Sequence, residues 1–110
     1  MLPKKSRLNI PAFYQDKTFA KKYSSNSLYL MVKNTTGERK IAVLVSKSLD
    51  KRAVYRNRTK RIIIEVMQKK LPELNKSYQI LIKSRKIFKK EDKKMAEREI
   101  EMLFRKAGII

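Results

Sequence analysis

The chain has 110 residues, 29 of them lysine or arginine and 10 aspartate or glutamate, for a formal charge of +19. That length suits one domain, expected over 1–110, with a single modest core, and so large a charge points to a polyanionic partner. A hydrophobic content of 42% excludes a disordered basic tail, the absence of cysteine excludes disulfides and thiolate metal sites, and no histidine is present to act as a general base.

Residues 1–7 are basic and contain Pro3, and they read as a mobile arm. No apolar run of about 18 residues and no signal-peptide pattern is present, so the expectation is a cytoplasmic protein without membrane contact. Pro11 suits the first turn of a short helix, predicted over 12–23 and carrying Phe13, Tyr14, Phe19, Ala20 and Tyr23. The polar stretch 24–27 breaks it. Leu28, Leu30 and Val32 then alternate with Tyr29, Met31 and Lys33, which predicts a strand. Residues 34–38 read as a hairpin loop. A second strand follows over 39–47, with Ile41, Val43 and Val45 on one side and Ala42, Leu44 and Ser46 on the other. Both sides are largely apolar, as in a strand buried on two faces.

Asp50 reads as the N-cap of a helix over 51–71, ended by Pro72. At 100° per residue, Tyr55, Thr59, Ile62, Ile63, Val66 and Met67 form its apolar stripe. Asn57, Arg58, Lys60 and Arg61 fall outside the stripe, and Arg56 lies on its edge. A third strand is predicted over 77–83, where Tyr78, Ile80 and Ile82 alternate with Gln79, Leu81 and Lys83. A basic loop covers 84–90. The last helix, over 91–107, has acids in its first turn and Arg105 and Lys106 in its last, as the helix dipole favours. Ala96, Ile100, Leu103 and Ala107 share one of its faces, and Gly108 reads as the stop. The order helix, strand, strand, helix, strand, helix predicts one α+β layer domain.

The segment from Arg52 to Arg61 carries five basic side chains and Asn57 but no acid. A solvated helix face mixes signs at four-residue spacing, whereas here Arg56/Lys60 and Asn57/Arg61 leave repulsion unrelieved. Guanidinium forks match phosphate oxygens, and an asparagine can bond a base edge or a 2′-hydroxyl. These residues point to folded RNA. The aromatics Phe13, Tyr14, Phe19, Tyr23 and Tyr29 are either core residues or a stacking surface for single-stranded bases. The residues 83–94 form a further basic rim suited to phosphate attraction. The acids are scattered: Glu91 and Asp92 adjoin, while Glu97, Glu99 and Glu101 fan apart along the last helix. Metal-assisted phosphodiester cleavage needs clustered acids, so no catalytic or metal-binding residue is assigned to the protein. With only Gly37 and Gly108, no glycine-rich phosphate loop is possible.

The run Val45-Ser46-Lys47, followed by Arg52-Ala53-Val54-Tyr55-Arg56-Asn57-Arg58-Thr59-Lys60-Arg61, resembles the protein subunit of bacterial ribonuclease P. Arg7-Leu8 before an aromatic helix, the strand 78–83 and Leu103-Phe104-Arg105-Lys106-Ala107-Gly108 are similar to other parts of that family. The family commonly has glycine where Ala42 stands, lysine at Ser48, glycine near Asp50 and an acid at Gln79. The resemblance implies a two-layer α/β sandwich: a mixed four-stranded sheet, three helices and a left-handed βαβ crossover, as in ribosomal-protein-like domains. The missing fourth strand is expected from splitting the long strand near 45–49. The resemblance further implies a subunit of an endoribonuclease that removes the 5′ leader of precursor tRNA. Catalysis would belong to the RNA subunit with its bound Mg²⁺; no metal is expected on the protein alone, and no protein partner is required. Arg52, Arg56, Asn57, Arg58, Lys60 and Arg61 would bind the RNA subunit. A cleft between sheet and first helix would take the leader, at Tyr14, Phe13 or Phe19, Tyr29 or Met31, Val43, Val45 and Lys47. Without the resemblance, a structural rRNA-binding protein of the ribosome and a nonspecific nucleic-acid packager fit the same charge.

Overall fold

Alternation of apolar and polar side chains builds one sheet from β1 (Lys21–Ser24), β2 (Leu28–Asn34), β3 (Lys40–Leu44) and β4 (Tyr78–Ser84). The computed structural model describes residues 6–15 and 20–110. The strand order is β1-β2-β4-β3; β1 and β4 each pair antiparallel with β2, and β3 pairs parallel with β4. Three α-helices among the described residues complete the α+β fold: α1 (Ile10–Gln15), α2 (Ala53–Lys70) and α3 (Lys93–Ala107). The helix α2 connects the parallel pair β3 and β4 and so forms the crossover.

The sheet is sided. Leu28, Leu30, Val32, Ile41, Val43, Ile80 and Ile82 point to one face, where Ile63, Val66 and Met67 of α2 and Ile100, Leu103 and Phe104 of α3 cover them. On the other face a smaller cluster joins Ala42 and Leu81 to Phe13 of α1. The burial of α2 follows its predicted stripe at Thr59, Ile62, Ile63, Val66 and Met67. The end of α3 follows the sequence too: Gly108 takes φ 74°, the left-handed conformation that favours glycine at a helix stop.

Several predicted elements change. The fourth strand is β1, within the segment predicted as helix, and not a split of the long strand near 45–49. The helix α1 ends at Gln15, and Tyr23 packs against the main core from β1. The residues 34–38 do not close a hairpin, because β4 lies between β2 and β3. The hairpin is instead β1–β2, closed where the Ser25 amide donates to the Leu28 carbonyl at 2.8 Å. Asp50 is not the N-cap. Arg52 holds that position, and Asp50 accepts from the Arg52 amide at 2.9 Å. Within the expected arm, Arg7 forms a parallel bridge with Ile41, and residues 1–5 lie outside the described part.

Carboxylates fasten this frame. Glu99 on α3 accepts from the Ser27 amide at 3.0 Å and from the Ser25 hydroxyl, which holds the β1–β2 turn. Glu101 accepts from Lys70 at the end of α2 and from Arg105 one turn along α3, at 3.0 Å to its Nε. The bond from Lys70 holds the Glu101 carboxyl below its ordinary range, with Arg105 adding to it and burial opposing. A depressed folded-state pKa contributes stability above the unfolded value, lost as pH falls through the folded one. Melting temperature should therefore drop as pH is lowered below about 4, and Glu101→Gln should flatten that drop while lowering stability at neutral pH. Thermal melts of both proteins across this range check the expectation; parallel curves would contradict it.

Candidate nucleic-acid interface

Two surfaces gather the cations. The first lies along α2. Asn57 and Arg61 are exposed and Lys60 is half-buried. None of the three side chains has a hydrogen-bond partner among the described residues. Arg52 is also exposed and pairs with Asp50 through two bonds, Nε to Oδ1 at 3.0 Å and Nη2 to Oδ2 at 2.9 Å. Its bond from Arg52 holds the Asp50 carboxyl below the usual range. The Arg52 guanidinium lies 4.2 Å from the centre of the Tyr55 ring, and the Arg58 guanidinium lies 5.0 Å from the same ring. Tyr55, predicted in the apolar stripe, is only half-buried and lies outside the core clusters, and its ring supports two cations. Arg58 also donates from Nε to the Phe88 carbonyl at 3.1 Å. Arg56 is half-buried, with an Nε that meets no acceptor among the described residues. Of the six residues marked by the sequence, Asn57, Lys60 and Arg61 are without a partner among the described residues, Arg52 is exposed but held by Asp50 and Tyr55, and Arg58 and Arg56 are partly drawn inward.

The second surface is a groove of about 600 Å³ on the sheet face that α1 leaves partly open. It is lined by Tyr14, Tyr29 and Met31 with Lys22, Ser24, Lys83 and Arg85. Strand register explains the set: Lys22 pairs with Met31, Ser24 with Tyr29, and Tyr29 with Lys83, so all share one face. Tyr14 is 55% exposed, which leaves its ring available for stacking. Its neighbour Phe13 is buried and meets Tyr14 edge-on, with ring centres 5.9 Å apart. Lys33, buried on β2, donates to the Phe13 carbonyl and lies 4.1 Å over the Phe13 ring, which ties α1 to the sheet beside the groove.

The sequence-marked cleft residues divide accordingly. Tyr14, Tyr29 and Met31 come together in the groove. Phe13 anchors α1 from beneath and does not open into it. Val43 and Val45 cannot line it: both are buried in the main core under the helices, on the opposite side of the sheet. Lys47 is exposed beyond β3 and lies outside the lining. Phe19 lies outside the described residues. The sequence reading missed Lys22 and Ser24, and it marked Lys83 and Arg85 only as part of a basic rim over 83–94, not as groove residues. Lys22 was hidden by the helix predicted over 12–23, and Ser24 by the polar break predicted after it. Among the described residues, no three acidic side chains converge into a group able to hold a cation, and no helix is long and apolar enough to cross a membrane.

Solved structures share this architecture. The Staphylococcus aureus RNase P protein superposes with a TM-score of 0.79 at 20% identity, covering 96% of this chain and 98% of that one. A Staphylococcus aureus RNase P protein mutant with defective mRNA degradation activity gives 0.78 at 19%, covering 97% and 92%. The RNase P protein from Thermotoga maritima gives 0.70 at 13%, covering 91% and 96%. The fold is thus that of bacterial ribonuclease P proteins. A search of curated proteins returns no match. A family model, Ribonuclease P, matches residues 2–108, and the chain belongs to that family. It is a protein subunit of ribonuclease P, the endoribonuclease of tRNA 5′ maturation, and membership implies association with ribonuclease P RNA.

The two arginines at the ends of the Arg58–Arg61 turn should respond differently to truncation. Arg58→Ala removes the bond to the carbonyl of buried Phe88 and should cost about 1–2 kcal/mol of folding stability in urea titrations. Arg61→Ala should stay within about 0.5 kcal/mol. An equal, negligible cost for both would show that the Arg58–Phe88 bond contributes nothing.

Proposed function

We propose that α2 docks the protein on ribonuclease P RNA while the α1–sheet groove receives the single-stranded 5′ leader of precursor tRNA. The groove carries this reading: exposed Tyr14 and half-buried Tyr29 and Met31 offer stacking surface, and Lys22, Lys83 and Arg85 surround them with charge. Aromatic faces accept any base, and cations beside them track the phosphates, which is the pattern that binds single strands with little sequence preference. The α2 face lacks such a platform. Its Arg52, Asn57, Lys60 and Arg61 instead stand at set helical spacing, suited to the phosphates and 2′-hydroxyls of folded RNA.

On this reading the RNA subunit carries the chemistry with its own Mg²⁺, and the protein acts by charge. A chain of +19 neutralises phosphates where two RNAs meet. The joint site then tolerates substrate at lower divalent concentration, because part of the neutralisation is already supplied. Mixed with a bacterial ribonuclease P RNA and a precursor tRNA at low Mg²⁺, the protein should raise cleavage well above that of RNA alone. No gain would refute the function. Tyr14→Ala should weaken precursor tRNA binding by about 1–3 kcal/mol and leave mature tRNA affinity nearly unchanged. Equal losses for precursor and mature tRNA would remove Tyr14 from the leader path.

A further inference from the structure

A second cleft, of about 450 Å³, runs between α2 and the start of α3. It is lined by Arg58, Arg61 and Ile62 of α2, by Glu65, and by Lys90 and Lys93. Four cations from two separate segments converge there around one carboxylate. The two walls are fastened to each other at Phe88, which is fully buried. Its amide donates to the Thr59 hydroxyl at 2.9 Å, and its carbonyl accepts from Arg58 Nε at 3.1 Å. The basic loop therefore cannot swing away from α2 without breaking both bonds. Beyond Phe88, a reciprocal pair of bonds fixes the 3₁₀ turn Lys90–Asp92: the Lys89 amide donates to Asp92 Oδ2 at 2.8 Å, and the Asp92 amide to the Lys89 carbonyl at 2.9 Å. Arg58 keeps both Nη groups without an acceptor among the described residues, and its Nε bond fixes their plane. Lys93 reaches across to Glu65 at 3.3 Å.

The geometry points to a phosphate clamp for the RNA subunit in this cleft, with Arg58 and Arg61 as one jaw and Lys90 and Lys93 as the other. The inference rests on the docking of α2 on ribonuclease P RNA and extends that contact to a second segment. Like charges held together at this density are costly unless an anion joins them. Glu65 fills part of that role in the unbound protein, and Lys93 exchanges it for a phosphate when RNA arrives. The carboxylate is then a competitor of the ligand, which gives the clamp a signature of opposite sign at two neighbouring residues.

The test measures affinity for ribonuclease P RNA over a salt series, with thermal melts confirming that each variant folds. The Lys90→Gln/Lys93→Gln double variant should weaken binding about tenfold or more and lower the slope of log K against log salt by about one per lysine. A control that removes the same charge elsewhere, Lys69→Gln/Lys106→Gln, should change the slope much less. Glu65→Gln should tighten binding several-fold. Equal slopes for the two double variants, or weaker binding by Glu65→Gln, would overturn the clamp. Asn57→Ala, on α2 but outside the cleft, separates the two readings. If it weakens binding and the Lys90→Gln/Lys93→Gln variant has no effect, the clamp alone is wrong. If Asn57→Ala and both double variants leave affinity unchanged, the docking of α2 fails and the clamp with it.

Discussion

The fold depends on the burial of β4 between β2 and β3. Ile80 and Ile82 on one side and Leu81 on the other are all nearly inaccessible, so this strand is packed from both faces. Its alternation sets the division of labour for the whole molecule. Tyr78, Ile80 and Ile82 support the helices, while Leu81 supports α1 and Lys83 reaches the groove. A shift of one residue in register would reverse every one of these assignments. The antiparallel pairing with β2 and the parallel pairing with β3 hold the register from both edges. The position of the groove is therefore a consequence of core packing, and its lining residues need no separate scaffold.

Charge is the opposing constraint. With 29 basic and 10 acidic residues, most cations have no acid to pair with. Several of the acids are spent where segments meet: Glu99 on the β1–β2 turn, Glu101 between α2 and α3, Asp50 at the start of α2, Glu65 across to Lys93. Only the Glu65–Lys93 pair joins largely exposed groups, where about 0–1 kcal/mol is typical. The placement of these acids matters more than their number, because each holds a junction together and leaves the α2 face and the groove unneutralised. A compact frame and a strongly basic surface are thereby reconciled in one short chain.

How far the sequence could be read followed the range of the interactions. The α2 stripe, the Gly108 stop and the β2 and β4 alternations depend on near neighbours and were legible. The mistakes came from pairings distant in sequence. Residues 34–38 carry turn chemistry, yet β4 enters between the strands they join, and nothing local records that. The segment around Lys21–Ser24 becomes a strand because it pairs with β2 across a three-residue turn, which overrides its reading as helix. Val43 and Val45 were placed in the cleft by family likeness; with both sides of their strand apolar, nothing local told which side the helices cover. Lys22 was lost with β1: it acquires a face only when that segment is a strand.

Tyr55 shows how the buried and the basic sides of α2 are joined. By periodicity it belongs with Thr59 and Ile62, but the structure leaves it half-buried and outside the core clusters. Its ring lies under Arg52 and Arg58 together, at 4.2 and 5.0 Å. An arginine loses considerable side-chain entropy when it is fixed, so a guanidinium already held by a ring and by Asp50 or Phe88 has less to lose on binding. Thr59, one turn along, anchors the loop that carries Lys90. Two residues of the apolar stripe thus govern the placement of cations that never enter the core. The basic helix is specific in shape because its buried side fixes the geometry of its exposed one.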